Sequence, residues 1–143
     1  MNRHIIDGPV TGALVATYVD EAGKKSDIGA SSIFLGQIRS DIIEGKRVKE
    51  IIYTAYPGMV EEECARIIGD MKTRFPDVRD IAIVHSVGTV KVGENSLLLF
   101  VTGGHRDQAT KACRETLELV KERLPLWKKE VFEDDSYHWR ENE

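Results

Sequence analysis

The stretch Gly103-Gly-His-Arg-Asp-Gln-Ala-Thr-Lys-Ala-Cys-Arg-Glu-Thr-Leu-Glu-Leu-Val-Lys-Glu-Arg-Leu-Pro-Leu-Trp-Lys-Lys-Glu130 reads as one amphipathic helix with chemistry at both ends. Ala109, Ala112, Cys113, Thr116, Leu117, Val120 and Leu124 recur at i, i+3, i+4 spacing, which gathers small and apolar side chains into one buried stripe. The pattern predicts a helix from about Asp107, as its N-cap, to Leu124, because Pro125 disfavours helical geometry in the residue before it. His105 and Arg106 then stand just ahead of the helix, where free amide N–H groups and the helix dipole favour an anion such as phosphate. Lys121 falls one position past Val120. Its stem therefore leaves at the edge of the buried stripe, and its amine can face a cleft.

Charge is concentrated in the same stretch. Residues 103–129 carry a net +3, whereas the whole chain carries −4, so the remainder is clearly acidic. A basic segment on an acidic protein points to a small anionic ligand or an acidic partner tail. Nucleic acid binding would show a broader basic footprint and interleaved aromatics. With 143 residues, 41% hydrophobic and 31% charged, the composition predicts one globular domain over residues 1–143. No apolar run is long enough to cross a bilayer, and the first residues lack a signal-peptide pattern, so the expected location is the cytoplasm. Cys64 and Cys113 both fall on helix stripes and read as reduced core residues; no metal-ligand spacing is seen, and no cofactor is expected.

Working outward, Ile5-Ile6 opens a short strand and Thr11 caps a brief helix through Val19, with a polar loop from Asp20 to Asp27. Ala30–Ile38 reads as a largely buried strand, Ser40–Arg47 as an exposed, mobile loop, and Val48–Tyr56 as a second strand broken by Pro57-Gly58. Val60, Cys64, Ile67, Ile68, Met71 and Phe75 repeat at helical spacing. Ile81–Val87 and Leu97–Thr102 are strands, with a turn at Gly88 and another at Val92–Asn95. This order predicts an α+β sandwich, with helices on one face of a mostly antiparallel sheet. His85, inside a strand, reads as a core or sheet-face histidine.

Several collinear stretches resemble the large, catalytic subunit of molybdopterin synthase, the MoaE family. They are Phe34-Leu-Gly-Gln-Ile-Arg39, Tyr56-Pro-Gly-Met59, Val87-Gly88 with Val92-Gly93-Glu94, His105-Arg106, and Lys121 followed by Pro125-Leu-Trp-Lys-Lys-Glu130. The resemblance implies an α/β hammerhead fold with a small extra β-subdomain. It implies a homodimer within a heterotetramer, carrying a small ubiquitin-like sulfur-carrier (MoaD-like) subunit at each end. The implied reaction converts cyclic pyranopterin monophosphate to molybdopterin, in molybdenum cofactor biosynthesis. Two sulfurs are transferred from the thiocarboxylated C-terminus of the carrier, which makes the chain a sulfurtransferase. By the same resemblance Lys121 and Lys128 are catalytic. Gln37, Ile38, Arg39, His105, Arg106, Lys121, Lys128, Lys129 and Glu130 bind substrate, some of them across the dimer interface.

Three places depart from the family's usual pattern: the loop Ser40-Asp41-Ile-Ile-Glu-Gly45, where the family commonly has an asparagine near the start and one residue fewer before the glycine, Thr54, which stands for a glutamate, and Ser86, which stands for an arginine. The absent pair is expected to have faced each other on neighbouring strands, since losing both charges avoids leaving one buried alone. A rival to the enzyme is a dimeric binding module that holds an acidic tail in the same basic cleft without chemistry.

Overall fold

The computed structural model describes residues 3–141. Eleven elements follow in the order β1 (Ile5–Asp7), α1 (Gly12–Ala22), β2 (Ala30–Gln37), β3 (Ile42–Ile43), β4 (Lys46–Ala55), α2 (Pro57–Arg74), β5 (Val78–Lys91), β6 (Asn95–Gly103), α3 (Arg106–Arg123), β7 (Leu126–Phe132) and β8 (Tyr137–Glu141). The strands join in the order β2-β6-β5-β4-β7-β8, with β1 parallel to β5 and β3 beside β4; the pairings along the main path are all antiparallel. The mixed α+β class is as expected.

One long strand organises this path. The first part of β5, from Val78 to His85, pairs with β6, and its last part, from Gly88 to Lys91, pairs with β4. A turn at Gly88 was expected, yet the strand runs through it. Gly88 takes φ +81, a backbone geometry that side-chain-bearing residues resist, and it sits where β5 passes from one ladder to the other.

Apolar side chains divide into three cores around this seam. Val60, Cys64, Ile67 and Met71 of α2 meet Ala112, Cys113 and Val120 of α3 and the Ile83, Leu97, Leu99 and Val101 face of β5 and β6. The alternate residues Val84, Leu98 and Phe100 form a second core under α1, so β6 is covered on both sides. Ile38, Val48, Ile51, Tyr53, Val90 and Phe132 form a third, under the β4-β7 end of the sheet. Both cysteines are free and buried.

Several local expectations need correction. Helix α3 begins at Arg106, with His105 in the N-cap position and no side-chain cap. Asp77 supplies an acceptor from far along the chain by taking the His105 N–H at 2.8 Å, a substitute that local pattern cannot reveal. The segment read as a mobile loop contains β3, which pairs Ile42 with Arg47 and Ile43 with Lys46 across a turn at Glu44 (φ 50) and Gly45 (φ 79). Strand β2 is half exposed: Ile33 is 44% and Leu35 41% exposed on its outer row, because β2 ends the sheet and α1 does not reach that row. The expectation that positions 54 and 86 face each other also fails. Thr54 is exposed and registers with Trp127 of β7, while Ser86 is fully buried beside Ile6 of β1.

Gly88 therefore tests the seam. Gly88→Ala meets no close atom, since the nearest to a built Cβ is Gly8 N at 3.9 Å, so its cost is the left-handed backbone alone. Equilibrium denaturation should show a loss of about 1–2 kcal/mol; native stability would mean that the backbone relaxes without strain.

Candidate functional site

A cavity of about 370 Å³ opens at the seam between the two ladders. Its lining comes from the end of β2 (Gly36, Gln37) and the residues after it (Ile38, Arg39, Asp41), from β4 (Val48, Ile51, Tyr53), from the start of β6 (Ser96, Leu97), from α3 (Lys121), from β7 (Lys128, Glu130) and from β8 (Arg140). The sheet register explains the grouping. Tyr53 pairs with Lys128, which pairs with Arg140, and Ile51 pairs with Glu130. Directly opposed residues share a face, so alternate residues of β4, β7 and β8 point into the same space. Lys121 joins them because α3 stops at Leu124, which is extended before Pro125, and the chain turns at once into β7.

The electrostatics follow from crowding cations. Burial, and then the nearby Lys128 charge, hold the Lys121 ammonium below the usual lysine value. Glu130 is buried and accepts from Arg140 Nη1 at 3.4 Å. At the mouth, Arg39 is 84% exposed and donates from Nε and Nη2 to both carboxylate oxygens of Asp41, at 2.6 and 3.3 Å. Behind the cavity His85 is 1% exposed, and its Nδ1 lies 2.8 Å from the Ser86 carbonyl oxygen, which can only accept. Burial, with Lys121 and Lys128 adding to it, depresses His85 to about 4, so the ring stays neutral beneath two lysines.

Six of the nine substrate positions expected from the sequence therefore line one cavity: Gln37, Ile38, Arg39, Lys121, Lys128 and Glu130. Three do not. Lys129 takes the other face of β7, where its Nζ sits 4.0 Å from the Tyr137 ring centroid and 5.7 Å from that of Trp139. His105 and Arg106 are exposed at the start of α3. At 1.5 Å of rise per residue, Arg106 is about 22 Å along the helix from Lys121. His105 is held there by Asp77, which takes its backbone N–H at 2.8 Å and lies 3.3 Å from its Nδ1. Gly104 leaves room for this, since a Cβ there would meet Asp77 Oδ1 at 2.7 Å. Tyr53, Ser96, Asp41 and Arg140 join the cavity without having been singled out from the sequence. Arg140 arrives only through the β7-β8 ladder, which no local motif announces.

The buried His85 gives a pH dependence of known sign. Its folded value, about 4, lies below its ordinary 6.5, so the unfolded chain takes up the proton first. Stability should rise with pH from 4 to 6.5, by at most about 1.4 kcal/mol per pH unit from this group. Denaturant titrations across that range should show this part of the slope disappearing in His85→Leu; an unchanged slope would mean that His85 is not buried as a neutral ring.

Residues 10–123 match the family described as MoaE protein. A molybdopterin synthase catalytic subunit of Drosophila erecta is 34% identical over 139 residues, 96% of this chain and 36% of that protein. The chain thus spans about a third of the length of the Drosophila relatives it matches. A molybdopterin synthase catalytic subunit of Taeniopygia guttata is 38% identical over 114 residues, covering 80% of this chain and 72% of that protein. The X-ray crystal structure of molybdopterin synthase from Staphylococcus aureus matches with a TM-score of 0.85 at 28% identity, covering 98% of both chains. The family match runs through β6, α3 and most of the cavity lining, and on it this chain belongs to the MoaE family.

Proposed function

We propose that this chain is the catalytic subunit of a cytoplasmic molybdopterin synthase, acting as one domain over residues 1–143. In this reading it converts cyclic pyranopterin monophosphate to molybdopterin, using two sulfurs from the thiocarboxylated C-terminus of a small ubiquitin-like carrier. The observation that carries the reading is the meeting of Lys121 and Lys128 in one cavity, with the Lys121 ammonium held below its usual value by burial and by its neighbour. Burial and the Lys128 charge make the neutral amine of Lys121 easier to reach than that of an ordinary lysine, which favours proton removal or attack. The Lys128 amine, opposite Tyr53 in the same cavity, can donate to the oxyanion formed as the thiocarboxylate carbonyl is attacked. Arg39 offers the phosphate a paired-donor fork, provided the phosphate displaces Asp41.

The cysteines support an external sulfur source. The chain has only two. Burial pushes Cys64 up to about 12 and raises Cys113 as well, so neither is a ready thiolate.

His105 and Arg106 enter this scheme from a second copy of the chain. They are exposed and cannot reach their own cavity, and the outer row of the edge strand β2 exposes Ile33 and Leu35, apolar area that a second copy would cover. The assembly is then a homodimer inside a heterotetramer, with a carrier tail entering each cavity.

Two experiments test the scheme. Dithiolene formation from cyclic pyranopterin monophosphate and thiocarboxylated carrier should fall about 10²–10³-fold in Lys121→Ala and in Lys128→Ala, with carrier binding retained. A native chain that binds the carrier yet forms no product would instead be a binding module. Mixing Lys128→Ala chains with Arg106→Ala chains, each nearly inactive alone, should restore about a quarter of native activity, because half of randomly formed dimers contain one intact site. No recovery would mean that Arg106 does not serve the cavity of a second copy.

A further inference from the structure

The charged groups of the cavity do not account for all of its buried lining. Ile38, Val48, Ile51 and Leu97 are buried and apolar, and beside the carboxylate of Glu130 only Tyr53 and Ser96, each 6% exposed, bring polar side chains. Tyr53 donates its hydroxyl to Ser96 Oγ at 3.2 Å. Two hydroxyls that share one hydrogen bond still have one O–H left over. Among the described residues no side chain or carbonyl takes that second proton, and both hydroxyl residues line the cavity. The pair is therefore a donor waiting for an acceptor that comes from outside the chain.

Neither partner has much freedom to turn away. The Tyr53 ring stands edge-on to His85, with centroids 4.9 Å apart at 77°, and Tyr53 is the direct cross-strand neighbour of Lys128. Burial raises the Tyr53 phenol above its ordinary value and so keeps it a neutral donor. Ser96 lies at the start of β6, between Asn95, which pairs with Gln37, and the buried Leu97.

We propose that the Tyr53–Ser96 pair is a specificity element for the uncharged, planar end of the substrate: its free O–H donates to a carbonyl oxygen or ring nitrogen of the pterin, while the phosphate remains with Arg39. The inference rests on the reading proposed above and adds to it a direction of entry. The heteroaromatic ring goes in first, over Ile51 and Leu97, and the anionic end stays at the charged mouth. Such a division suits the cavity, because a phosphate pressed against Ile38, Val48, Ile51 and Leu97 would lose its water without gaining donors. A ring loses little there and gains one directed bond.

Calorimetric titration of the chain over residues 1–143 with cyclic pyranopterin monophosphate, and separately with inorganic phosphate, tests this. Ser96→Ala alone leaves the Tyr53 hydroxyl free to substitute, so the decisive variant is Tyr53→Phe with Ser96→Ala. Exchanging both members of a polar pair for apolar groups is close to neutral for folding, and a thermal melt checks that. The double variant should bind the pterin substrate about tenfold more weakly, with each single variant between it and native, while phosphate affinity stays within about twofold. In turnover the same loss should appear as a rise in KM of about tenfold. Equal affinity of native and double variant for the pterin would overturn the proposal and leave the synthase reading intact. An equal loss for pterin and phosphate would also overturn it, since the pair would then only support the cavity's shape. A native chain that fails to bind the pterin at all would remove both.

Discussion

A single strand shared by two ladders governs the rest of this protein. Strand β5 gives its first part to β6 and its last part to β4, and the handover falls on Gly88, where φ is +81. Because the strand changes partners, β6 and β4 cannot pair with each other beyond the handover, and a gap opens between the end of β2, the start of β6 and the face of β4. That gap is the cavity. The C-terminus of α3 points toward it because α3 packs across β2 and β6, and β7 adds to the far edge of β4 immediately afterwards.

The site accepts an electrostatic cost that a purely structural protein would avoid. Two lysines share one cavity above a buried histidine; the Lys128 charge opposes protonation of Lys121, and both lysines oppose protonation of His85. The arrangement persists because the surrounding apolar cores hold the backbone on three sides, so the charged groups need not stabilise the fold. Around the lysines, carboxylates hold the arginines: Asp41 occupies the Arg39 fork, and Glu130 engages Arg140. An incoming anion competes with these groups rather than finding bare cations. The Arg39–Asp41 pair is exposed and therefore weak, which makes that exchange easy.

Legibility in the sequence varied with how local the cause was. Helix α3 followed from the spacing of Ala109, Cys113, Thr116 and Val120, and those residues are its buried stripe. Lys121 at the margin of that stripe is half-buried and lines the cavity, as its offset from Val120 implies. The N-cap of α3 lies two residues before Asp107, at His105, because the acceptor comes from Asp77, nearly thirty residues earlier. Strand β3 escaped notice because two residues carry no periodicity, and Gly88 read as a turn because a glycine among β-branched residues looks alike at a bend and at a bulge.

By itself the sequence determined the three helices, the strands β1, β2, β4, β5 and β6, and which residues carry the reactive groups, because each of these depends on neighbours a few positions apart. The tertiary structure alone decided which reactive groups meet. Lys121, Lys128 and Arg140 come together through a helix end and a register across three strands, while Lys129, adjacent to Lys128, is sent to the opposite face by the two-residue period of the strand. His105 and Arg106 belong to the same helix as Lys121, yet the rigid length of that helix separates them. Proximity in the chain fixes the conformation of a segment, but contact between distant segments depends on how their buried faces pack, and no stretch of sequence contains that information alone.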